Sequence, residues 1–235
     1  ADAASMEERG LIYQKAIAAL PNSPELLGNY ANFLKNECKE MDKAEEYYKR
    51  AIKLDPDDAD YLGNYANFLQ NERHDMEKAE EYYKRAIEAD PAHANNLGNL
   101  ALFHMGKRKE MDKAEEYYKR AIEADPAHAN NLGNYATFLK KERREMDKAE
   151  EYYKRAIEAD PLHANNLSNY ANFLKNERME MDKAEEYYKR AIEAEPTHAN
   201  SLNNFAIFLK KERNDIDRAE EYYKRAIEAD PWHAN

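Results

Sequence analysis

Asn29, Asn64, Asn99, Asn134, Asn169 and Asn204 follow one another at intervals of 35 residues. Beside this row run Asn32, Asn67 and Asn172, and four residues earlier in their units stand Asn95, Asn130, Asn165 and Asn200. A side-chain amide offers both donors and an acceptor. A regular row of amides can therefore bracket the N–H and C=O groups of an extended peptide whatever its sequence. The same row can bridge neighbouring helices, and the two roles are compatible. His93, His128, His163, His198 and His233 form a second periodic row. A metal site needs ligands that converge on one ion, whereas stacked elements stand roughly 10 Å apart. These histidines read as turn and cap residues, and no metal is expected.

Other chemistry is absent from the pattern. The single cysteine, Cys38, excludes an internal disulfide and a Cys-based metal cage. No Ser/His/Asp set, catalytic carboxylate pair or phosphate loop stands out, because every polar residue type recurs with the repeat. That is how a surface is written; neither an enzyme nor a cofactor is expected.

Composition narrows the class. The 235 residues are 35% charged and 43% hydrophobic, with 18 Tyr, which is too apolar for a disordered polyelectrolyte. The formal net charge of −11 argues against a general nucleic-acid binder, whose affinity rests on neutralising phosphates. It weakly favours basic partners. No apolar run reaches the length of a membrane span, so no membrane association is expected. No signal peptide opens the chain, and a reducing, cytoplasmic compartment is the default expectation.

The elements that position the rows are written as repeated words. "AEEYYKRAI" begins at Ala44 and recurs at Ala79, Ala114, Ala149, Ala184 and Ala219. Met41, Ala44, Tyr48, Ala51 and Ile52 make one helical stripe, and Leu27, Tyr30, Ala31 and Leu34 make another just before it. Asp42 followed by Glu45 has the spacing of a capping box. The "DP" that follows stops the helix, since Pro cannot continue it. Glu45–Lys49 and Glu46–Arg50 are favourable i, i+4 pairs. Each unit is therefore a hairpin of helices A and B, with A1 near 24–36 and B1 near 42–54. Hairpins are expected at about 21–55, 56–90, 91–125, 126–160, 161–195 and 196–230. An orphan B-type helix occupies 1–20, a truncated tail 231–235, and the whole chain is one repeat domain.

This pattern resembles the tetratricopeptide repeat. The residues that carry the likeness in the second unit are Leu62, Tyr65, Ala66, Ala79, Tyr83, Ala86 and Pro91. Leu replaces the family's usual Trp early in helix A. The period is 35 in place of the usual 34, with the extra residue in the A–B turn. The half-a-TPR repeats of RNA-processing scaffolds are a near cousin that also resembles "AEEYYKRAI". The 35-residue period raises the RNA-binding pentatricopeptide repeat too, but the Tyr-Tyr helix B and the acidic chain do not resemble it. The near-identity of the B helices fits recent duplication or consensus design.

The resemblance implies an all-α, right-handed superhelical solenoid of stacked antiparallel hairpins, with A helices lining a concave groove. It implies a scaffold that binds an extended peptide or a partner helix there. Asn29, Asn64, Asn99, Asn134, Asn169, Asn204, Asn32, Asn67, Asn172, Asn130 and Asn165 are the candidate contacts. Leu102 and Met105, with Thr137, interrupt the polar row and form a candidate pocket for one apolar side chain. The alternative is an assembly module without a dedicated ligand, self-associating through uncapped ends that carry Leu11, Ile12 and Ile17 at one side and Tyr222, Tyr223, Ile227 and Trp232 at the other. Gly28, Gly63, Gly98 and Gly133 each cost about 1 kcal/mol relative to Ala inside a helix. Either they open the groove floor or they admit the adjacent helix.

Overall fold

The computed structural model describes residues 3–230; the expectations placed on Trp232, His233 and the 231–235 tail lie outside the described residues. Among the described residues there are thirteen α-helices and no strand. Helix α1 spans Ala3–Ala19. The A helices are α2 (Pro24–Phe33), α4 (Ala59–Phe68), α6 (Ala94–Phe103), α8 (Ala129–Phe138), α10 (Ala164–Phe173) and α12 (Ala199–Phe208). The B helices are α3 (Met41–Leu54), α5 (Met76–Ala89), α7 (Met111–Ala124), α9 (Met146–Ala159), α11 (Met181–Ala194) and α13 (Ile216–Ala229). The expected all-α class of paired helices is the observed one.

The chain gathers into two compact units, Ala1–Ala124 and Asp125–Asn235. The first holds α1 to α7 and the second α8 to α13. Within each, an A helix packs along its own B helix and the B helix packs against the next A. The stripes supply the core: Leu27, Ala31, Ala44 and Ala51 are wholly buried in the first unit, as are Leu167, Ala171, Ala184 and Ala191 in the second. Alanine on both faces lets the helix axes approach closely. The Tyr-Tyr word splits its roles. Tyr48 packs its ring 6.0 Å from Tyr65 and 5.4 Å from Phe68 of the next hairpin. Tyr47 stays half-buried and meets Tyr30 of its own hairpin edge-on at 4.7 Å.

The thirty-fifth residue is accommodated at the end of helix A. Each A helix runs on into a five-residue π-helical turn, the first at Leu34–Cys38. The Leu34 carbonyl accepts from the N–H of Lys39 and, at 3.0 Å, from that of Glu40. The chain then leaves through a left-handed residue that is never glycine. Lys39, His74, Lys109, Arg144, Met179 and Asn214 all have φ between 54 and 59°. Such a wide turn absorbs one extra residue without moving the buried Leu out of phase.

Helix starts are capped differently from the expectation at one end. The A helices begin at Ser23, Asp58, His93, His128, His163 and His198, each accepting from a backbone N–H three residues on. The histidine row is thus a row of caps, as the sequence suggested. The Asp42–Glu45 capping box does not form. Met41 begins α3, so Asp42 lies inside the helix, and the residue before it, Glu40, makes no side-chain cap. Glu145 and Glu180 make none either, whereas Asp75 and Asp215 at the same place do reach the backbone N–H with their shorter side chains.

Candidate functional site

The face of the A helices opposite the core carries the asparagine row. Asn29 and Asn169 are exposed, and Asn64, Asn99, Asn134 and Asn204 half-buried. Among the described residues the amides of Asn29, Asn64, Asn99, Asn134 and Asn169 engage no protein group, and Asn130 and Asn165 are likewise exposed. Asn204 differs, since its Nδ2 donates to Ser168 Oγ at 3.2 Å. In the first unit Arg9, Tyr13, Asn29, Asn32, Phe33, Asn36 and Glu37 line a hollow of about 210 Å³ on this face.

The neighbouring row is committed to the scaffold. Asn32, Asn67 and Asn172 accept from the hydroxyls of Tyr48, Tyr83 and Tyr188 at 2.5, 2.6 and 2.7 Å. Burial pushes all three phenols well above their ordinary value. Each amide therefore neutralises a buried polar atom of its own hairpin, where an unmet hydroxyl would be costly. Its acceptor is already in use.

Leu102 and Met105 are half-buried in the first unit, and Thr137 lies in the second. Thr137 Oγ1 donates to the Gly133 carbonyl at 3.0 Å and lies 3.0 Å from the Tyr153 hydroxyl. Burial raises that phenol to about 12. Between Leu102 and Met105 sits His104, almost wholly buried, its Nδ1 2.7 Å from Glu110 and its ring parallel to Tyr117 at 5.4 Å. Burial holds its pKa below the ordinary value, against the opposing pull of Glu110.

One structural row escaped the reading of the sequence. Asn96, Asn131 and Asn166 are 3–4% exposed. Asn96 Nδ2 donates to the Ala59 carbonyl at 2.8 Å, and Asn166 Nδ2 to that of Ala129 at 3.0 Å. A Cβ on Gly63 would stand 1.9 Å from Asn96 Oδ1, and one on Gly133 2.0 Å from Asn166 Oδ1. In the first hairpin Gly28 makes room for Tyr61, 3.1 Å from where its Cβ would be. These glycines admit the adjacent helix. Where the following hairpin carries the smaller Ser201, the glycine position holds Ser168. The signal was available as a second spacing, 33 residues from Gly63 to Asn96.

Arginine clamps tie consecutive hairpins on another face. Arg73 Nε binds Glu45 at 2.7 Å and its Nη2 binds Asp42 at 2.6 Å, with the guanidinium 5.3 Å from the Phe68 ring. Arg178 repeats this with Glu150 and Asp147, and Arg213 with Glu185 and Asp182. Arg108 holds Glu80 at 2.9 Å. Burial opposes ionisation of Glu45, but hydrogen bonds from Lys49 and Arg73 outweigh it and hold the carboxyl below its ordinary value. The expected pair Glu45–Lys49 is formed at 2.6 Å, and Glu46–Arg50 at 4.0 Å. At the first junction Cys38 stands in the arginine's place and Gly10 in the glutamate's, beside a cleft of about 450 Å³ lined also by Met6, Leu11 and Tyr30.

Among the described residues no group of His, Cys, Asp or Glu could hold a metal ion. No helix among them is long and apolar enough to cross a membrane. Paired amphipathic helices, joined by recurring caps and interlocked hairpin to hairpin, define a helical-repeat protein of the tetratricopeptide class. The chain belongs, more narrowly, to the family described as PRP39 N-terminal HAT repeat, whose model matches residues 81–233. Two tetratricopeptide-repeat models match 24–58 and 47–81. No curated protein matches by sequence. Similar solved structures include pilF of Pseudomonas aeruginosa, with TM-score 0.68 and 20% identity over 89% of this chain and 92% of that one. The APC/C hetero-tetramer Cut9–Hcn1 gives 0.74 and 14% over 98% and 45%. YrrB, described as a TPR protein with an unusual peptide-binding site, gives 0.52 and 24% over 80% and 95%. At these identities the likeness is one of fold. Such a fold is a protein–protein interaction scaffold in general.

Proposed function

We propose that this chain holds an extended peptide along the solvent-facing side of its A helices, with Asn29, Asn64, Asn99, Asn134 and Asn169 as the principal contacts. The observation that supports this reading is the unspent hydrogen-bonding capacity of those amides. Asn32, Asn67 and Asn172 accept from tyrosines, Asn204 is engaged with Ser168, and the five remaining amides of the row are left for solvent or ligand. Each can donate to a peptide carbonyl and accept from a peptide N–H. Asn130 and Asn165 extend the reach toward the helix starts, while Leu102 and Met105 offer an apolar point of selection. The description of YrrB as peptide-binding supports the choice of ligand class.

The test uses a peptide selected on the full chain from a random library. Replacing Asn99, Asn134 and Asn169 with Ala should weaken its binding at least tenfold by calorimetry, with the helical circular dichroism unchanged. Unchanged affinity removes this face from the account. A second reading, pairing of the chain with itself through α1, is favoured by Leu11 and Ile12, 50% and 59% exposed on that helix, and by Leu20 just after it, 62% exposed. Sedimentation of the chain and of its Ile12→Glu variant across a concentration series separates it from the first.

A further inference from the structure

The lysines of the second unit fall into two groups. Each lysine on α9, α11 and α13 has a carboxylate partner, as Lys154 has Glu150 at 2.6 Å and Lys189 has Glu185 at 2.8 Å. Lys140 and Lys175, in the π-helical turns that continue α8 and α10, have no ion pair among the described residues. Both are half-buried, and burial pushes their pKa down. Lys175 adds like-charge repulsion to Lys140, while Glu177 and Glu212 act on the two only from a distance.

Neighbouring groups place these lysines beside the amide row. Gln70, at the same position in the first unit, accepts from the Tyr83 hydroxyl at 3.2 Å, next to Asn67. Lysine takes that place in the second unit: Glu177 acts on both Lys140 and Tyr153, and Glu212 on both Lys175 and Tyr188. The Tyr153 hydroxyl lies 3.0 Å from Thr137 Oγ1, and that of Tyr188 donates to Asn172. Thr137 and Asn172 follow Asn134 and Asn169 by three residues, about one helical turn.

We propose that Lys140 and Lys175 select acidic side chains, so that the peptide held on this face carries carboxylates three residues apart. This rests on the peptide-holding reading and adds the chemistry of the ligand's side chains. The bond from Asn166 to the Ala129 carbonyl holds α10 against α8, at an axial separation of about 10 Å. Three residues of a polyproline II segment advance about 9 Å and return their side chains to one side. A carboxylate set on each lysine would offset its burial and the repulsion between the two. The net charge of −11 opposes an acidic ligand at long range, so contact with these lysines must supply the preference.

The probe is a labelled, C-terminally amidated peptide of four Asp-Ser-Pro triplets, titrated against the full chain by fluorescence anisotropy. Saturable binding is expected, at least tenfold tighter than that of the matching Asn-Ser-Pro peptide and weakened by added salt. A peptide of the same composition with its aspartates adjacent should bind several-fold more weakly. Lys140→Met and Lys175→Met keep the apolar stem and remove the charge. Together they should abolish the preference for Asp over Asn, with the helical circular dichroism unchanged. Lys154→Met and Lys189→Met make the chain equally more negative and should leave the preference intact. Equal binding of the Asp and Asn peptides or of the two orderings, no binding at all, or an equal loss from the B-helix variants overturns the proposal. The Asn99, Asn134 and Asn169 alanine variants read the amide row on the same probe. Binding lost in them but kept in the lysine variants defeats the acidic preference alone. Binding that the alanine variants leave intact defeats the peptide-holding reading, and this proposal with it.

Discussion

Asn96 sits in the space that Gly63 leaves: its Nδ2 reaches the Ala59 carbonyl at 2.8 Å while its Oδ1 lies 1.9 Å from where a Gly63 Cβ would be. A glycine that weakens its own helix thus admits a buried amide that satisfies a backbone carbonyl of the neighbouring one. The cost is local and the gain lies between hairpins.

Gly63→Ala should therefore act against propensity. In an exposed helix the change stabilises by about 1 kcal/mol. Here it should destabilise by about 2 kcal/mol, on the scale of overpacked interiors. Asn96→Ser should recover most of the loss, because the sequence itself carries Ser201 at the asparagine position where Ser168 replaces the glycine. A double-mutant cycle by urea unfolding measures it, and additive losses would refute the pairing.

The left-handed residues give a prediction of opposite sign. Met179 has φ 57° and is 70% exposed, so its side chain contributes little to offset the backbone conformation. Met179→Gly should stabilise by about 0.5–1 kcal/mol, since glycine adopts this region without a Cβ penalty. Thermal unfolding of the single variant reads it; a lowered melting temperature would contradict it.

His104 makes the third hairpin acid-sensitive. Its neutral form is favoured by burial, with Glu110 and Glu80 opposing and Lys113 assisting, beside the Tyr117 ring. With the folded pKa lowered, the unfolded chain binds the proton first. Stability should therefore fall as pH drops below the ordinary histidine value of 6.5. His104→Leu, matching the buried Leu34, Leu69, Leu139, Leu174 and Leu209, should remove that part of the pH dependence. Melting curves between pH 7 and pH 5 compare the two proteins, and parallel slopes would count against the claim.

The arginine clamps should show up at lower pH and in salt. Glu45, Glu80, Glu150 and Glu185 are all held below the ordinary carboxylate value; burial opposes this but hydrogen bonds from Lys and Arg prevail. Their contribution is present above about pH 4.5 and is lost as pH falls through the lowered values. Arg178→Lys keeps the charge but not the fork, and should lower the denaturant midpoint slightly at this solvent-exposed site. Denaturant midpoints at low and high salt test it, and a midpoint equal to the parent's at low salt would dismiss the clamp.

The sequence by itself determined the all-α class, the pairing of helices repeat by repeat and the role of His93, His128, His163 and His198 as caps. Those features are local: a 3.6-residue stripe, a Pro stop and a cap each declare themselves within one turn or two. The Asp42–Glu45 capping box failed because the backbone of Met41 entered the helix one residue early, which freed both acids for Arg73. Tertiary structure alone decided which amides are spent. Asn32 and Asn29 are three residues apart and chemically identical, but only Asn32 lies beneath a tyrosine hydroxyl supplied from 16 residues away. The buried Asn96 likewise differs from exposed Asn95 by one position, a rotation of about 100° around the helix. Which of two adjacent asparagines turns inward depends on where the neighbouring helix leaves a glycine gap. That gap is a property of two hairpins in contact, and neither hairpin's sequence states it alone.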